Sequence, residues 1–187
     1  MSDRSVAVAA RRGPLHAVSL PEGETFAVTR ARDAARFVLR GDPAGVAAFG
    51  PAAPGMLRAS ESGSRAALRL GPDEILLLAP GEDAEAIRGE LAAKLPAGAH
   101  SLVDVSHRQI GLVVEGRSAA LCLAAGCPLD LRPAAFPIGM ATRTIFLKAE
   151  IVLWRQADDR FHVEVWRSFA PYLVGHLSDA HATSSDP

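Results

Sequence analysis

The sequence predicts an α+β protein made of two ferredoxin-like β-α-β-β-α halves, in which helices pack on antiparallel or mixed sheets. Short apolar runs alternate along the chain with segments whose apolar residues recur at helical spacing. A strand, Gly41, a short helix and Gly50 come in the same order as a later strand, Gly116, a short helix and Gly126. Each set is followed by a loop, paired strands and a longer helix. The shared order predicts an internal structural repeat.

This repeat divides the chain into four segments. Residues 1–25 show no sustained period and are predicted to form an extended N-terminal arm. Residues 26–98 are the first α+β half, and residues 99–180 are the second. Residues 181–187 are small and polar, and we expect this tail to fray.

In the first half, glycine and proline separate the elements. Asp42 before Pro43 is a favourable N-cap followed by a favourable first-turn residue. Apolar residues from Ala84 to Leu95 recur at helical spacing, and Pro96 ends the run. The predicted elements are a strand at 35–40, a short helix at 43–49, a loop at 50–63, strands at 64–70 and 74–78, and a helix at 83–95.

The second half follows the same order. Gly116 ends an apolar strand, Gly126 and Pro128 end the helix after it, and Pro171 must lie in the first turn of the last helix. The predicted elements are strands at 102–105 and 108–115, a helix at 117–125, a loop at 127–139, strands at 142–147, 150–155 and 161–165, and a helix at 168–177.

Composition and charge argue against several classes of protein. The 187 residues include 20 basic and 21 acidic side chains, whereas binding to nucleic-acid phosphates needs a concentrated basic surface. The start of the chain lacks the apolar run of a signal peptide, and no run of about 18 residues is apolar enough to span a membrane. Cys122 and Cys127 are too few for a disulfide framework or a four-cysteine zinc site. We expect two reduced thiols in a cytoplasmic protein without nucleic-acid or membrane partners.

Two motifs come close to known sites without completing them. Gly111–Ser118 (GLVVEGRS) resembles a phosphate-binding loop, but its apolar residues and its glutamate favour a strand that ends at Gly116. His162 and Glu164 match the H-x-E part of zinc deaminases, although the P-C-x-x-C part is missing. We therefore expect a strand that presents both side chains to solvent and its alternate apolar residues to the core.

A third motif places a serine, a histidine and a carboxylate close together in the sequence. Asp104, Ser106 and His107 are near neighbours, but adjacent residues on a strand point to opposite faces and do not form a catalytic triad. Cys122, on a predicted helix, is expected to be a small core residue. No constellation offers a nucleophile, a base and an orienting group together, so no catalytic, cofactor-binding or metal-binding residue is predicted.

Two stretches of the sequence resemble known families. Residues 103–131 (VDVSHRQIGLVVEGRSAALCLAAGCPLDL) look like the start of the folate-binding aminomethyltransferases, the glycine cleavage T-proteins. Residues 136–177 contain FPIGMATRTIFL, VLWR and VEVWRSFAPYLVGHL. Together the two stretches resemble the gamma subunits of heterotetrameric sarcosine oxidases. The resemblance covers residues 26–180 and is most specific from Arg167 to Leu173.

The resemblance implies an aminomethyltransferase-like fold and a structural role in an enzyme complex. Such a complex oxidatively demethylates sarcosine to glycine, with hydrogen peroxide and either formaldehyde or methylene-tetrahydrofolate as further products. It implies alpha, beta and delta subunits as partners. It also implies that these subunits hold FAD, FMN, NAD, tetrahydrofolate and zinc, and that this chain alone binds none of them.

The chain departs from the aminomethyltransferases where those enzymes have their key aspartate. Their G-G-x-x-D-D segment compares with Lys148-Ala149-Glu150-Ile151, which has one acidic residue and no glycine pair. Their C-terminal domain also has no counterpart here. These differences agree with a non-catalytic role for this chain.

Two alternative functions stay open. A stand-alone folate-binding, one-carbon transfer enzyme would use Asp104 or Glu150 to reach the pterin ring. An interaction module related to the folate-binding domain of a tRNA-modifying GTPase would contact RNA, which the near-neutral charge disfavours.

Large aromatic and cationic side chains near the strand ends are the candidates for a subunit interface, because such residues are enriched at interfaces. Core packing and solvated charge are the simpler explanation for the same residues. The candidates are His107, Arg108, Trp154, Trp166 and Arg167.

Overall fold

The computed structural model describes residues 13–95 and 97–184. Residues 1–12 of the predicted arm, the helix stop at Pro96 and residues 185–187 of the predicted tail lie outside these residues. Residues 13–25 contain no helix or strand. The described strands are β1 (Ala27–Arg30), β2 (Ala34–Arg40), β3 (Ala59–Ser62), β4 (Arg65–Arg69), β5 (Glu74–Pro80), β6 (Ser101–Asp104), β7 (Gln109–Glu115), β8 (Ala141–Phe146), β9 (Ala149–Ala157) and β10 (Arg160–Trp166). The described helices are a 3₁₀ helix (Pro43–Phe49), α1 (Ala84–Lys94), α2 (Ala119–Ala124) and α3 (Ala170–Ser184).

The strands form two five-stranded sheets in which the paired strands are antiparallel. Sheet I has the order β3-β4-β5-β2-β6, and sheet II has the order β8-β9-β10-β7-β1. In these two orders the strands of the second half occupy the same places as their counterparts in the first half. The predicted α+β class and the internal repeat are confirmed, and the sheets are antiparallel rather than mixed.

Each sheet takes one edge strand from the other predicted half. Strand β6 pairs with β2, with Phe37 opposite Asp104, while β1 pairs with β7, with Val28 opposite Val114. In sheet I, β2, β4, β5 and β6 with their helices have the ferredoxin-like β-α-β-β-α-β order, and β3 adds a further edge. In sheet II, β1 from the start of the chain takes the place of the last strand. The predicted boundary between residues 98 and 99 therefore does not separate the two sheets.

The molecule has four layers, because the sheets stack face to face and carry helices on their outer faces. One core lies between sheet II and helices α2 and α3, and a second lies between sheet I, the 3₁₀ helix and α1. A third core lies between the sheets and contains Ala66, Leu68, Leu76, Leu78, Ala141, Val152 and Trp154. None of the described helices is both long and apolar enough to cross a membrane.

The predicted N-cap at Asp42 is confirmed, and Asp83 caps α1 in the same way. The Asp42 side chain accepts a hydrogen bond from the backbone N–H of Ala44 at 2.9 Å, and Asp83 accepts one from Ala86 at 3.0 Å. Each carboxylate satisfies an N–H group that has no partner inside its own helix. Pro171 lies in the first turn of α3, where a missing N–H costs no helical hydrogen bond.

Two strands and part of the last helix differ from the sequence prediction. No element is predicted from the sequence at β1, and β3 lies within the predicted loop at 50–63. Both are four-residue edge strands, and their short sequences, AVTR and ASES, give too little alternation to be recognised. Residues 181–184 continue α3 instead of belonging to a frayed tail, and His181 stacks on Phe26 with the ring centroids 4.8 Å apart.

Arg65 on β4 connects sheet I to its outer helix layer. Its guanidinium donates hydrogen bonds to Glu82 and to Glu90 on α1, both at 2.7 Å, and to the carbonyl oxygen of Phe49 at 3.0 Å. It also lies 5.0 Å from the centroid of the Phe49 ring. The hydrogen bonds from Arg65 lower the pKa of Glu82 and, with Lys94, lower the pKa of Glu90 to about 2.

We expect Arg65→Gln to destabilise the protein and to reduce its sensitivity to acid. A carboxyl group whose pKa is lowered by folding stabilises the protein above its unfolded-state pKa, and this contribution is lost as the pH falls through the folded-state pKa. For Glu90 the loss falls between its ordinary pKa of 4.5 and about 2. Urea unfolding should show a cost of about 1–3 kcal/mol at neutral pH and a smaller further loss at about pH 3 than in the wild type.

Arg117→Gln is the matched control, because Arg117 is exposed and has no ion pair within the described residues. It should change stability by less than about 0.5 kcal/mol and leave the acid dependence unchanged. Equal acid sensitivity in the Arg65 variant and the wild type would show that this network does not anchor α1.

Candidate functional site

A buried ion cluster lies between the two sheets. Arg36 projects from β2 in sheet I, and Glu164 projects from β10 in sheet II. Arg36 Nε donates to Glu164 Oε2 at 2.7 Å and Nη2 donates to Oε1 at 3.1 Å, so the pair is bidentate. His162 Nε2 lies 2.8 Å from Glu164 Oε1. Glu164 is 0% exposed and Arg36 is 4% exposed, which places both charges in the interior.

Gly111 on β7 provides the space for this cluster. It lies directly opposite Glu164 in the pairing of β7 with β10. A Cβ atom at Gly111 would lie 2.9 Å from Cβ of Ala31, 2.9 Å from Cε1 of His162 and 3.0 Å from Oε1 of Glu164. A methyl group there would displace the imidazole and the carboxylate, since packed interiors have little free space. The glycine at this position thus serves the ion cluster and not a phosphate-binding loop.

The balance of charge in the cluster is set by its hydrogen bonds. Burial is the largest single influence on Glu164 and acts to raise its pKa, but the bonds and charges of His162 and Arg36 together lower the pKa below its usual value. Glu164 is therefore a carboxylate at neutral pH and balances the guanidinium of Arg36. A further donor of Arg36, Nη1, bonds to the carbonyl oxygen of Ala34 at 2.8 Å. The cluster is a satisfied structural ion pair.

The expected orientation of strand β10 is correct for one face only. Phe161, Val163 and Val165 face the core, as predicted. His162 and Glu164 share the other face, but sheet I covers that face and it does not meet solvent. Within residues 13–95 and 97–184, no three His, Cys, Asp or Glu side chains come together in a way that could hold a metal ion.

Two cavities flank the cluster, and Arg36 contributes to the walls of both. The larger has a volume of about 440 Å³ and is bounded by Arg30, Ser106, Gln109 and Arg167, among others. The smaller, of about 290 Å³, lies on the side of Trp154, His162 and Glu164. The Glu164 carboxylate is already bonded to Arg36 and His162.

Four of the five predicted interface residues lie near one another, and two of them, His107 and Arg167, line the larger cavity. His107 and Arg108 lie in the turn between β6 and β7, Trp166 ends β10, and Arg167 follows it. The backbone N–H of Arg167 donates to the carbonyl oxygen of Arg108 at 3.1 Å, and the Arg108 guanidinium lies 5.7 Å from the centroid of a Trp166 ring. His107 and Trp166 are exposed, while Arg108 and Arg167 are partly buried.

The fifth predicted interface residue, Trp154, is not available to a partner. Its side chain is in the core between the sheets, with 4% of the residue exposed, and its ring centroid lies 5.8 Å from that of His162. Trp154 is on the face of β9 that sheet I covers, and this burial could not be inferred from a single strand.

The carboxylates considered for folate binding lie on different sheets. Asp104 on β6 accepts a hydrogen bond from Ser106 Oγ at 2.6 Å and one from Arg88 at 3.2 Å. Burial acts to raise the pKa of Asp104, but these bonds and the Arg88 charge lower it overall. Glu150 on β9 lies 3.5 Å from Arg143. His107 joins neither group, so the serine, histidine and aspartate near β6 do not form a triad.

Both cysteines are free thiols in the core, and Cys122 is fully buried on α2 as predicted. Arg36 and Glu164, by contrast, are not among the residues predicted from the sequence. A signal for them exists, because each is a charged residue inside a largely apolar strand, AARFVLR and RFHVEVW. A buried charge requires a partner, but the sequence does not identify one that lies 128 positions away.

The model of the sarcosine oxidase gamma subunit family matches residues 31–183. The chain belongs to this family. It is 34% identical over 122 residues to the gamma subunit of sarcosine oxidase from Arthrobacter sp. and 36% identical over 130 residues to that from Corynebacterium sp. strain U-96. These matches cover 65% and 70% of this chain but only 59% and 62% of the relatives, so the chain spans about three fifths of their length.

Solved structures agree with this membership and with the predicted aminomethyltransferase-like fold. The gamma-family chain matches a chain of heterotetrameric sarcosine oxidase from Corynebacterium sp. U-96, in complex with pyrrole 2-carboxylate, with a TM-score of 0.84 and 28% identity over 95% of this chain and 97% of that one. It also matches the glycine cleavage aminomethyltransferase of Bartonella henselae with a TM-score of 0.62 and 15% identity, over 80% of this chain and 44% of that one. The second likeness concerns the fold alone.

We expect Glu164→Gln to lower the free energy of unfolding by about 3–5 kcal/mol, because it leaves Arg36 buried without a counter-charge. Chemical denaturation at neutral pH measures this cost. Glu115→Gln is the matched control, since Glu115 on β7 pairs with Arg160 at the surface. The control should cost less than about 1 kcal/mol, as exposed ion pairs contribute little.

A double variant separates the buried charge from the space it occupies. Arg36→Met combined with Glu164→Leu removes both charges, and it should recover much of the stability that the single substitution loses. If Glu164→Gln costs no more than Glu115→Gln, the ion cluster does not contribute to holding the sheets together.

Proposed function

We propose that this chain is a non-catalytic subunit of a heterotetrameric sarcosine oxidase, in which it holds larger subunits in position. The observation that carries the proposal is the structural match to a chain of the Corynebacterium complex, which extends over 95% of this chain. The interior supports a structural role, because the buried Glu164 carboxylate bonds to Arg36 and His162, and Asp104 bonds to Arg88 and Ser106.

In this proposal the complex removes the N-methyl group of sarcosine by oxidation. The products are glycine, hydrogen peroxide and formaldehyde, or methylene-tetrahydrofolate where tetrahydrofolate accepts the one-carbon unit. The alpha, beta and delta subunits carry FAD, FMN, NAD, tetrahydrofolate and zinc, and this chain supplies none of the reacting groups. We place the complex in the cytoplasm, which suits the two unpaired thiols.

The fold suits a supporting subunit, because contacts in the interior join its two sheets and so give the outer surface a fixed shape. Several large apolar side chains are exposed on these surfaces, as expected where neighbouring subunits bury them. They are Met56, Val103, Leu121, Ile138, Ile145, Leu147, Trp166 and Phe169.

The proposal is tested by isolating the tagged chain from its own host at native expression. Native mass spectrometry should show three further subunits, and visible absorption should show that the complex is yellow. The isolated complex should oxidise sarcosine. The chain produced alone should be colourless and should not consume oxygen in the presence of sarcosine. Turnover by the isolated chain would contradict a non-catalytic role. Tight binding of folate to it, measured by calorimetry, would favour a stand-alone one-carbon enzyme.

A further inference from the structure

The surface beside the larger cavity contains cationic groups that the described chain does not balance. We call the surface formed by His107, Arg108, Gln109, Trp166 and Arg167 the Trp166 face. At the same cavity, Arg30 pairs with Asp33 at 2.5 Å and Arg36 pairs with Glu164. Neither Arg108 nor Arg167 has a carboxylate partner among residues 13–95 and 97–184. The Trp166 face therefore presents two unmatched guanidinium groups.

Two buried polar atoms at this face also lack partners. Nε of Arg108 is a hydrogen-bond donor, and Oε1 of Gln109 is an acceptor, and neither has a hydrogen-bond partner within the described residues. Gln109 is 2% exposed and contributes to the wall of the cavity. Buried polar atoms are rarely left without a bond in folded proteins. The two atoms mark this face as a place where the described chain leaves hydrogen bonds unmade.

The aromatic residues at this face have the character of an interface. Trp166 is 41% exposed, and the adjoining Phe169, whose backbone N–H donates to the carbonyl oxygen of Trp166, is 38% exposed. The Arg108 guanidinium lies over the Trp166 ring, 5.7 Å from its centroid, and this contact favours one arrangement of the two side chains before any partner binds. Exposed tryptophan and arginine side chains that lie together are the residue types that dominate binding energy in protein interfaces.

We propose that the Trp166 face binds an acidic loop of a larger subunit in the complex. A carboxylate of that loop pairs with the guanidinium of Arg167, in the planar bidentate geometry that guanidinium and carboxylate groups favour. Trp166 and Phe169 pack against the apolar parts of the loop. The proposal rests on the proposed function, which supplies the partner.

Charge reversal in the assembled complex tests this surface. The tagged wild type and Arg167→Glu are each isolated from the host, and the flavin absorbance recovered per mole of tagged chain is compared. We expect Arg167→Glu to recover at least about tenfold less flavin, as loss of a central interface ion pair does. Recovery by the wild type should also fall as salt rises, because salt weakens the attraction.

Arg117→Glu is the matched control, because Arg117 is an exposed arginine at the opposite end of β7. It should recover as much flavin as the wild type, and both variants should show the thermal transition of the wild type when isolated. Trp166→Ala supplies a second variant without a change of charge, and it should also recover less. Normal assembly of Arg167→Glu, or equal loss in both arginine variants, would overturn the proposal.

Chemical footprinting tests whether this face is covered in the complex and open in the isolated chain. Phenylglyoxal modifies accessible arginines, and peptide mass spectrometry should show Arg167 modified in the isolated chain but protected in the complex. If Arg167 is protected in the isolated chain, by a retained small molecule or by a second copy seen in the native mass, the proposed occupant is wrong. If the wild type recovers no flavin complex, the proposed function itself fails, whereas a normal complex that leaves Arg167 open overturns this surface alone.

Discussion

The bidentate ion pair between Arg36 and Glu164 joins the two sheets at the centre of the molecule. It requires Gly111 in the facing strand, because any larger residue would occupy the space of the carboxylate and the imidazole of His162. It also requires that the sheets stay in one relative position, since a buried carboxylate without its guanidinium is strongly unfavourable. Apolar contacts tolerate small sliding movements, whereas two directed hydrogen bonds do not. The pair thus defines how the two halves of the repeat lie against each other.

The exchange of edge strands reinforces this arrangement. Sheet I is completed by β6 and sheet II by β1, so each half of the repeat depends on a strand from beyond the predicted boundary. The connection between β6 and β7, residues 105–108, therefore passes from one sheet to the other. The cavity and the exposed residues of the Trp166 face lie at this crossing. Because both sheets contribute to the Trp166 face, its position is fixed by the position of the two sheets.

The proposed role as a subunit of a sarcosine oxidase accounts for both the ion cluster between the sheets and the unpaired groups at the Trp166 face. The ionised groups between the sheets are bonded to each other, which suits the proposed supporting role. The two unsatisfied polar atoms, both of them buried, and the two guanidinium groups without a carboxylate partner lie instead at the Trp166 face. The division follows from physical constraint, because unpaired charges are tolerated at a surface that a partner can complete and not in a closed core.

The sequence by itself determined the α+β class, the repeat, the helix cap at Asp42 and most strands, because these depend on local spacing and on glycine and proline. It also indicated four residues of the Trp166 face as interface candidates. Two of them lie in the turn between β6 and β7, and two lie at the end of β10. Only the tertiary structure decided what covers each strand. His162 and Glu164 alternate with core residues as solvent-facing residues do, and the sequence left Trp154 open between the core and an interface. A strand shows which residues share a face, but another sheet, formed by distant residues, decides whether that face meets water.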